Sequence, residues 1–295
     1  MHIVLVDSGK TQVNIMTKMV QALGYDDLRT FVDGAEAWKY IRGPEAVDLL
    51  ITGLEVAGMS GLELAWHVRT NEKTALSYIL VVTSSDDEKR FIEALDCGAD
   101  DYLHKPLNAA VLWARLRAAN RVLRMQNDLY RLANRDPLTG LFNRRAFGVA
   151  ANLAIEAAEE NATPLALLLM DVDHFKSIND THGHDVGDQA LMLFASTASR
   201  ALPANAVLGR VGGEEFAVLL PEADMHRGAG IAEDVRARVA ATSLSLGHDA
   251  LGFTISIGLT ALRWGDSLSD LMKRADQGLY AAKKGGRNRA VTMPA

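Results

Sequence analysis

Short continuous apolar runs at Ile3 to Val6, Leu49 to Ile51 and Ile79 to Val82 alternate, in the first hundred residues, with helical periodicity such as Val13, Met16, Val20 and Leu23. Weaker strand patterns fit Leu28 to Val32 and Asp101 to Leu103. Five β-then-α units of this kind predict a doubly wound, five-stranded parallel sheet with helices on both faces. No Gly or Pro occurs between Pro106 and Pro137, so one helix is expected over 107–135. Along it Ala118, Val122, Met125, Leu129 and Leu132 follow the alternating four-and-three spacing of a short coiled coil, flanked by Arg115, Arg117, Arg121, Arg124 and Arg131. Past that helix the pattern changes. Leu165 to Met170 reads as a buried strand, Ala206 to Leu208 and Phe216 to Leu220 as the arms of a hairpin, and Phe253 to Gly258 as an alternating strand followed by a helix through Ala275 to Tyr280. The expected organisation is a front domain over 1–120, the connecting helix over 107–135 and an α/β domain over 136–295.

Composition narrows the class without changing this picture. At 295 residues and 48% apolar content each domain has enough to form its own core. A net charge of −6 argues against a nucleic-acid polymer or an anionic membrane as the main partner. Cys97 is the only cysteine, so no intrachain disulfide forms, and no apolar run reaches signal-peptide or membrane-spanning character. These features lead to the expectation of a cytoplasmic protein.

The candidate chemistry centres on Arg210-Val211-Gly212-Gly213-Glu214-Glu215-Phe216. A hairpin turning on two glycines, expected at positive φ, leaves the backbone open to a large charged ligand. Two adjacent carboxylates repel unless a cation or proton neutralises them, and hard oxygen ligands suit Mg²⁺ and the nucleotide polyphosphates that accompany it. After the strand at Leu165 to Met170 come Asp171-Val172-Asp173-His174-Phe175-Lys176. Asp171 is assigned to the metal and Asp173 to the N-cap of the following helix. The backbone amides of the turn at His174 and Phe175 would form a phosphate cradle. Asn179 and Asp188 bracket His182-Gly183-His184-Asp185-Val186-Gly187, and a carboxylate with an amide can read the donor edge of guanine, although helix capping accounts for either residue alone. His182 and His184 suit hydrogen bonding near a turn better than a metal pair. Lys283 and Arg287 share a face at i and i+4 if the terminal helix continues past them, and Gly285-Gly286 is placed to break it.

Asp-Pro-Leu-Thr-Gly-Leu-Phe-Asn-Arg-Arg at 136–145, the Asp171 to Asp188 block, Gly-Gly-Glu-Glu-Phe and the Lys283 to Asn288 stretch occur in that order. In this the chain resembles the GGDEF family of diguanylate cyclases over 136–290. The resemblance implies Mg²⁺, with Mn²⁺ as the alternative, held by Asp171, the Val172 carbonyl and Glu214. Glu214 and Glu215 are the implied catalytic carboxylates. Asn179 and Asp188 would read the guanine and Lys176, Lys283 and Arg287 the phosphates, with His184, His174 and Phe175 counted among the substrate-binding residues. The implied reaction condenses two GTP molecules into cyclic di-GMP and two pyrophosphates across a homodimer. The runner-up is a catalytically silent member that binds GTP or a partner.

The front domain resembles a response-regulator receiver through Asp7, Met59 to Leu64, Thr83 and Lys105-Pro106. It departs from that pattern at the residue that matters most, because Gly53 stands where the family carries its phosphate-accepting aspartate, and Ser8 replaces the second metal-holding acid. Glu55 lies two residues past the lost acceptor. The expectation is a pseudo-receiver that dimerises or binds a protein or ligand partner, with Thr83 and Lys105 kept for hydrogen bonding and packing. The family's inhibitory product motif, Arg-x-x-Asp, is replaced by Pro203-Ala204-Asn205-Ala206, which predicts no feedback inhibition through that site.

Overall fold

The computed structural model describes residues 1–84, 88–247 and 249–294. The chain divides into two compact units, Met1–Leu129 and Tyr130–Ala295. In the first, β1 (Ile3–Val6), α1 (Lys10–Ala22), β2 (Leu28–Phe31), α2 (Gly34–Ile41), β3 (Leu49–Gly53), α3 (Gly61–Thr70), β4 (Tyr78–Thr83), α4 (Glu88–Asp96) and β5 (Asp101–His104) alternate as their periodicity requires. The five strands are all parallel, in the order β2-β1-β3-β4-β5. Strands buried on both faces must be apolar throughout, and alternate residues of β1 divide accordingly. Ile3 and Leu5 pack into the core under α1, whereas Val4 and Val6 pack into the core under α2 and α3. Local signals set the helix starts. Asp33 accepts from the amides of Ala35 and Glu36 to cap α2, and Ser60 with Glu63 forms a reciprocal capping box on α3.

The last helix of this unit, α5 (Ala109–Asn134), runs for 26 residues, and the division between the units falls inside it. Leu112, Leu116 and Ala119 are buried, with Val122 and Leu123 packed beside them. Farther along, the stripe expected to form a coiled coil lies bare: Met125, Leu129 and Leu132 are 59%, 65% and 77% exposed. Such a helix keeps its first half by burial, and its second half presents an apolar seam to solvent.

The second unit contains α6 (Arg144–Glu160), β6 (Leu165–Val172), α7 (Phe175–His182), α8 (His184–Ala201), β7 (Val207–Arg210), β8 (Glu215–Pro221) and α9 (Met225–Ala240). There follow β9 (Ser243–Leu246), β10 (Asp249–Gly252), β11 (Ile255–Ala261), α10 (Leu268–Lys284) and β12 (Ala290–Thr292). Its main sheet has the order β12-β11-β6-β8-β7, antiparallel except for the β11–β12 pair. Central β6 shows why the sheet is covered on both faces. Leu165, Leu167 and Leu169 enter the core of α6 and α10, and Ala166, Leu168, Met170 and Val172 enter that of α7, α8 and α9. The β9–β10 hairpin and edge strand β12 carry no alternating apolar run long enough to have been predicted. The strand expected from Phe253 begins its ladder at Ile255 and continues to Ala261. Gly258 within it is required by packing, because a Cβ there would meet the Ala275 carbonyl oxygen of α10 at 1.9 Å. No helix among the described residues is long and apolar enough to cross a membrane.

Candidate active site

Two neighbouring strands deliver the acidic cluster. Asp171, at the end of β6, lies opposite Glu215 of β8 on one side and Ser256 of β11 on the other. Glu214 precedes β8, and its carbonyl accepts from the Val172 amide at 3.3 Å. Asp171 is only 4% exposed, and burial pushes its carboxyl up from the ordinary range. An ion pair with the Lys283 ammonium at 2.7 Å opposes that rise, and Glu215 and Asp173 add to it. Glu214 is likewise pushed up, first by burial and then by Asp171, with Lys283 again opposing. Lys283 therefore shares one ammonium among crowded carboxylates, and a cluster that desolvated favours a further cation. Asp171 and Glu214 supply hard oxygens, the donor type that Mg²⁺ and Mn²⁺ take. Among the described residues no three His, Cys, Asp or Glu side chains form a complete cage. The set implied by the sequence, with two carboxylates and one backbone carbonyl, does not call for one.

The glycine turn between β7 and β8 is made differently from the expectation. Neither Gly212 nor Gly213 adopts a positive φ. The amides of Val211 and Gly212 both turn in to the Glu215 carbonyl, at 2.9 and 3.2 Å, and Arg210 reaches over to donate to the Gly213 carbonyl at 2.6 and 3.0 Å. Close approach bears on the first glycine alone. A Cβ on Gly212 would come within 2.5 Å of a Glu215 carboxylate oxygen, while the Gly213 position opens onto empty space. Sequence reasoning also missed the latch that holds this turn. Arg210 pairs with Asp136 at 3.1 Å, and Asp136 accepts from the Thr139 amide and hydroxyl at 2.9 and 2.7 Å. Burial opposes ionisation of Asp136, but the Thr139 bonds and Arg210 hold its carboxyl below the usual range. The available signal was the Asp-Pro-x-Thr turn, whose aspartate characteristically bonds ahead along its own backbone.

Asp173 does not cap α7. The residue before that helix is His174, in the left-handed region at φ 57°, and it makes no side-chain cap. The Asp173 carboxylate turns inward, accepting from the Ser256 hydroxyl at 2.6 Å, the Thr254 hydroxyl at 2.7 Å and the Asn288 amide at 3.0 Å. A buried carboxylate needs several donors, and the β11 entry together with the Asn288 amide supplies three. Phe175 is buried in the core and Lys176 is exposed, without an ion pair to a described residue. Asn179 sits on α7, and its side-chain oxygen is buried without a hydrogen-bond partner. That oxygen would lie 1.9 Å from a Cβ on Gly187, so the glycine lets α8 pack against Asn179, one residue before Asp188. Asp188 and His184 are both exposed on α8. The terminal helix stops at Lys284, so Lys283 and Arg287 are not helical neighbours; Arg287 lies past the end in a left-handed turn at φ 62°. A groove of about 720 Å³ on the α6 and α10 side reaches Glu215 at one edge, but neither Asn179 nor Asp188 lines it.

Against known proteins, residues 133–289 match the family model described as diguanylate cyclase, GGDEF domain, and residues 3–117 match that of the response regulator receiver domain. The response regulator PleD of Caulobacter vibrioides is 33% identical over 300 residues, covering 98% of this chain, which spans 65% of PleD's length. Diguanylate cyclase DgcM of Escherichia coli K12 is 38% identical over 174 residues, 57% of this chain and 40% of DgcM. Among solved structures, the coiled coil and GGDEF domain of DgcB from Caulobacter crescentus, in complex with c-di-GMP, superposes with a TM-score of 0.57 at 34% identity, over 63% of this chain and 98% of that one. Diguanylate cyclase SiaD of Pseudomonas aeruginosa, in complex with its activator SiaC, gives 0.53 at 33% identity, over 70% and 75%.

Proposed function

The chain belongs to the GGDEF family of diguanylate cyclases, with a response-regulator receiver domain ahead of the GGDEF domain, and from that premise we propose that it condenses two GTP molecules into cyclic di-GMP as a homodimer. The observation that carries the reading is the buried Asp171 carboxylate, crowded by Glu214 and Glu215 and balanced, among the described residues, by the Lys283 ammonium. In each of two steps the 3′-hydroxyl of one GTP attacks the α-phosphate of the other. A P–O bond forms, the bond to the β-phosphate breaks, pyrophosphate leaves and the hydroxyl proton passes to a base. Each protomer holds one nucleotide, so catalysis is largely a matter of bringing two sites face to face.

The residues divide the work by chemistry. The Asp188 carboxylate accepts from the N–H groups of guanine, and Asn179 brings an unsatisfied buried oxygen to the same edge. Lys283, Arg287 and Lys176 neutralise phosphate oxygens, the amides at His174 and Phe175 offer further donors to them, and His184 is a further substrate-binding residue. Glu214, whose carboxyl is pushed up by burial, is the candidate proton acceptor, with Glu215 next to it. Mg²⁺ or Mn²⁺, held by Asp171, the Val172 carbonyl and Glu214, would stabilise charge on the phosphate and lower the hydroxyl pKa.

Dimer formation is assigned to the exposed Met125, Leu129 and Leu132 seam of α5 and to the receiver. The receiver is read as unable to accept a phosphoryl group. Gly53 has no carboxylate, and Asp7 is committed to Lys105 at 2.6 Å. It then serves as a dimerisation or partner-binding module, with no primary product-inhibition site in the cyclase domain at Pro203 to Ala206. A cytoplasmic location, with no nucleic-acid or membrane partner, accords with this reading.

The test is pyrophosphate release from GTP by the full chain with and without Mg²⁺, beside Glu214→Gln. Metal-dependent release that the substitution abolishes is expected. GTP binding without release in the wild type would instead establish a silent, nucleotide-binding member.

A further inference from the structure

We infer that Asp173 is a positioning residue for the triphosphate, acting through Arg287. This rests on the reading above, in which Arg287 meets phosphate. The segment after α10 passes through three successive residues at positive φ: Gly286 at 111°, Arg287 at 62° and Asn288 at 45°. Glycine and asparagine take that region readily, but an arginine there is held only when its surroundings over-determine it. Here they do so from three sides. The Arg287 amide donates to the Ala282 carbonyl of α10 at 3.0 Å. The Asn288 amide donates to Asp173 at 3.0 Å, and the Asn288 side-chain oxygen accepts from Arg236 of α9 at 2.7 Å. Arg236 is itself anchored on Glu233.

Asp173 joins this turn to the strand that carries the acidic cluster. Its carboxylate is 4% exposed and accepts two β11-side hydroxyls, from Thr254 and Ser256, as well as the Asn288 amide. Its own amide donates to the Thr254 carbonyl at 2.9 Å. With three donors on two buried oxygens, Asp173 is engaged by the protein, two residues from Asp171. Meanwhile the Arg287 guanidinium makes no ion pair with a described residue. The arrangement fixes the backbone from which the Arg287 side chain projects, on a turn tied two residues from Asp171, and a fixed origin for a cationic side chain is what recognition of a triphosphate bound at Asp171 demands.

The experiment measures binding of 3′-deoxy-GTP and 3′-deoxy-GMP to the full chain by calorimetry with Mg²⁺ present. Neither nucleotide has the attacking hydroxyl, so binding is read without turnover. The wild type is expected to prefer the triphosphate. Asp173→Ala should weaken 3′-deoxy-GTP by about tenfold, the scale of a charge-assisted contact, and leave 3′-deoxy-GMP unchanged, a loss that general damage to the fold would not confine to the triphosphate. Asp173→Asn keeps a carbonyl oxygen that can accept from the Asn288 amide, so it should restore the preference. In an Arg287→Ala background Asp173→Ala should have no further effect. A preserved triphosphate preference in Asp173→Ala, equal weakening of both nucleotides, or an undiminished effect without Arg287, overturns the inference. A wild type that binds both nucleotides equally would instead sink the GTP-site reading itself, and the inference with it.

Discussion

Replacing Gly258 by alanine links the packing of the second unit to its chemistry. The added Cβ would lie 1.9 Å from the Ala275 carbonyl oxygen and 2.4 Å from the Leu279 amide nitrogen, both backbone atoms of α10. That is about 1.5 Å short of ordinary carbon–oxygen contact, and no rotamer change can relieve a clash with main chain. Either α10 moves away from β11 or the strand bends, and interiors packed to crystal density yield to such insertions at about 1–3 kcal/mol. At a urea slope of about 2 kcal/mol/M, the midpoint of the second unit should drop by roughly 0.5–1.5 M. The same shift displaces Lys283, which α10 carries to within 2.7 Å of Asp171. A misplacement near 1 Å commonly costs about a hundredfold in rate, so pyrophosphate release should fall further than stability alone predicts at temperatures where the variant is folded. Gly148→Ala is the matched control. It lies inside α6 with nothing within 4 Å of its added Cβ, and should raise stability by about 0.5–1 kcal/mol without affecting turnover. Gly258→Ala unfolding at the wild-type midpoint would refute the claim that helix and strand meet at the backbone.

Arg210→Met removes the partner of the largely buried Asp136 and frees the Gly213 carbonyl. A loss of about 1–3 kcal/mol in urea unfolding is expected, with pyrophosphate release reduced because the turn bearing Glu214 loosens. The carboxyls of Asp171 and Glu214 are both raised in the folded chain, so the native state binds more protons than the unfolded one between the two sets of values. Metal-free protein should therefore lose stability as pH rises from about 4, the ordinary carboxylate range, through the raised folded values, and a Tm series without Mg²⁺ that climbs over that window would contradict the assignment. Incubation with acetyl phosphate should leave the full chain unlabelled, since Gly53 offers no acceptor, and stoichiometric labelling would restore the receiver to phosphorelay duty.

Much of the architecture follows from periodicity. Runs buried on both faces, such as Ile3 to Val6 and Leu165 to Met170, are apolar throughout because neither face meets water. Edge strand β12 and the β9–β10 hairpin escaped notice because half-exposed or edge residues leave no such run. The turn at Gly212-Gly213 was legible as a turn from composition, but the reason for the glycines was not. A sequence cannot show that the Glu215 carboxylate folds back over Gly212, so positive φ was the natural and mistaken expectation.

The chain's sequence alone determined the two α/β units, the long helix between them and the residue types on which any chemistry must draw, because these depend on short-range spacing and side-chain identity. Only the tertiary structure decided what those residues do. It took Asp173 from a helix cap to a clamp on the Asn288 turn, set Lys283 on Asp171 and fastened Arg210 to Asp136, 74 positions away. Each is a contact between segments distant along the chain. A buried carboxylate takes whichever donors the packing brings to it, and spacing along one segment does not specify them.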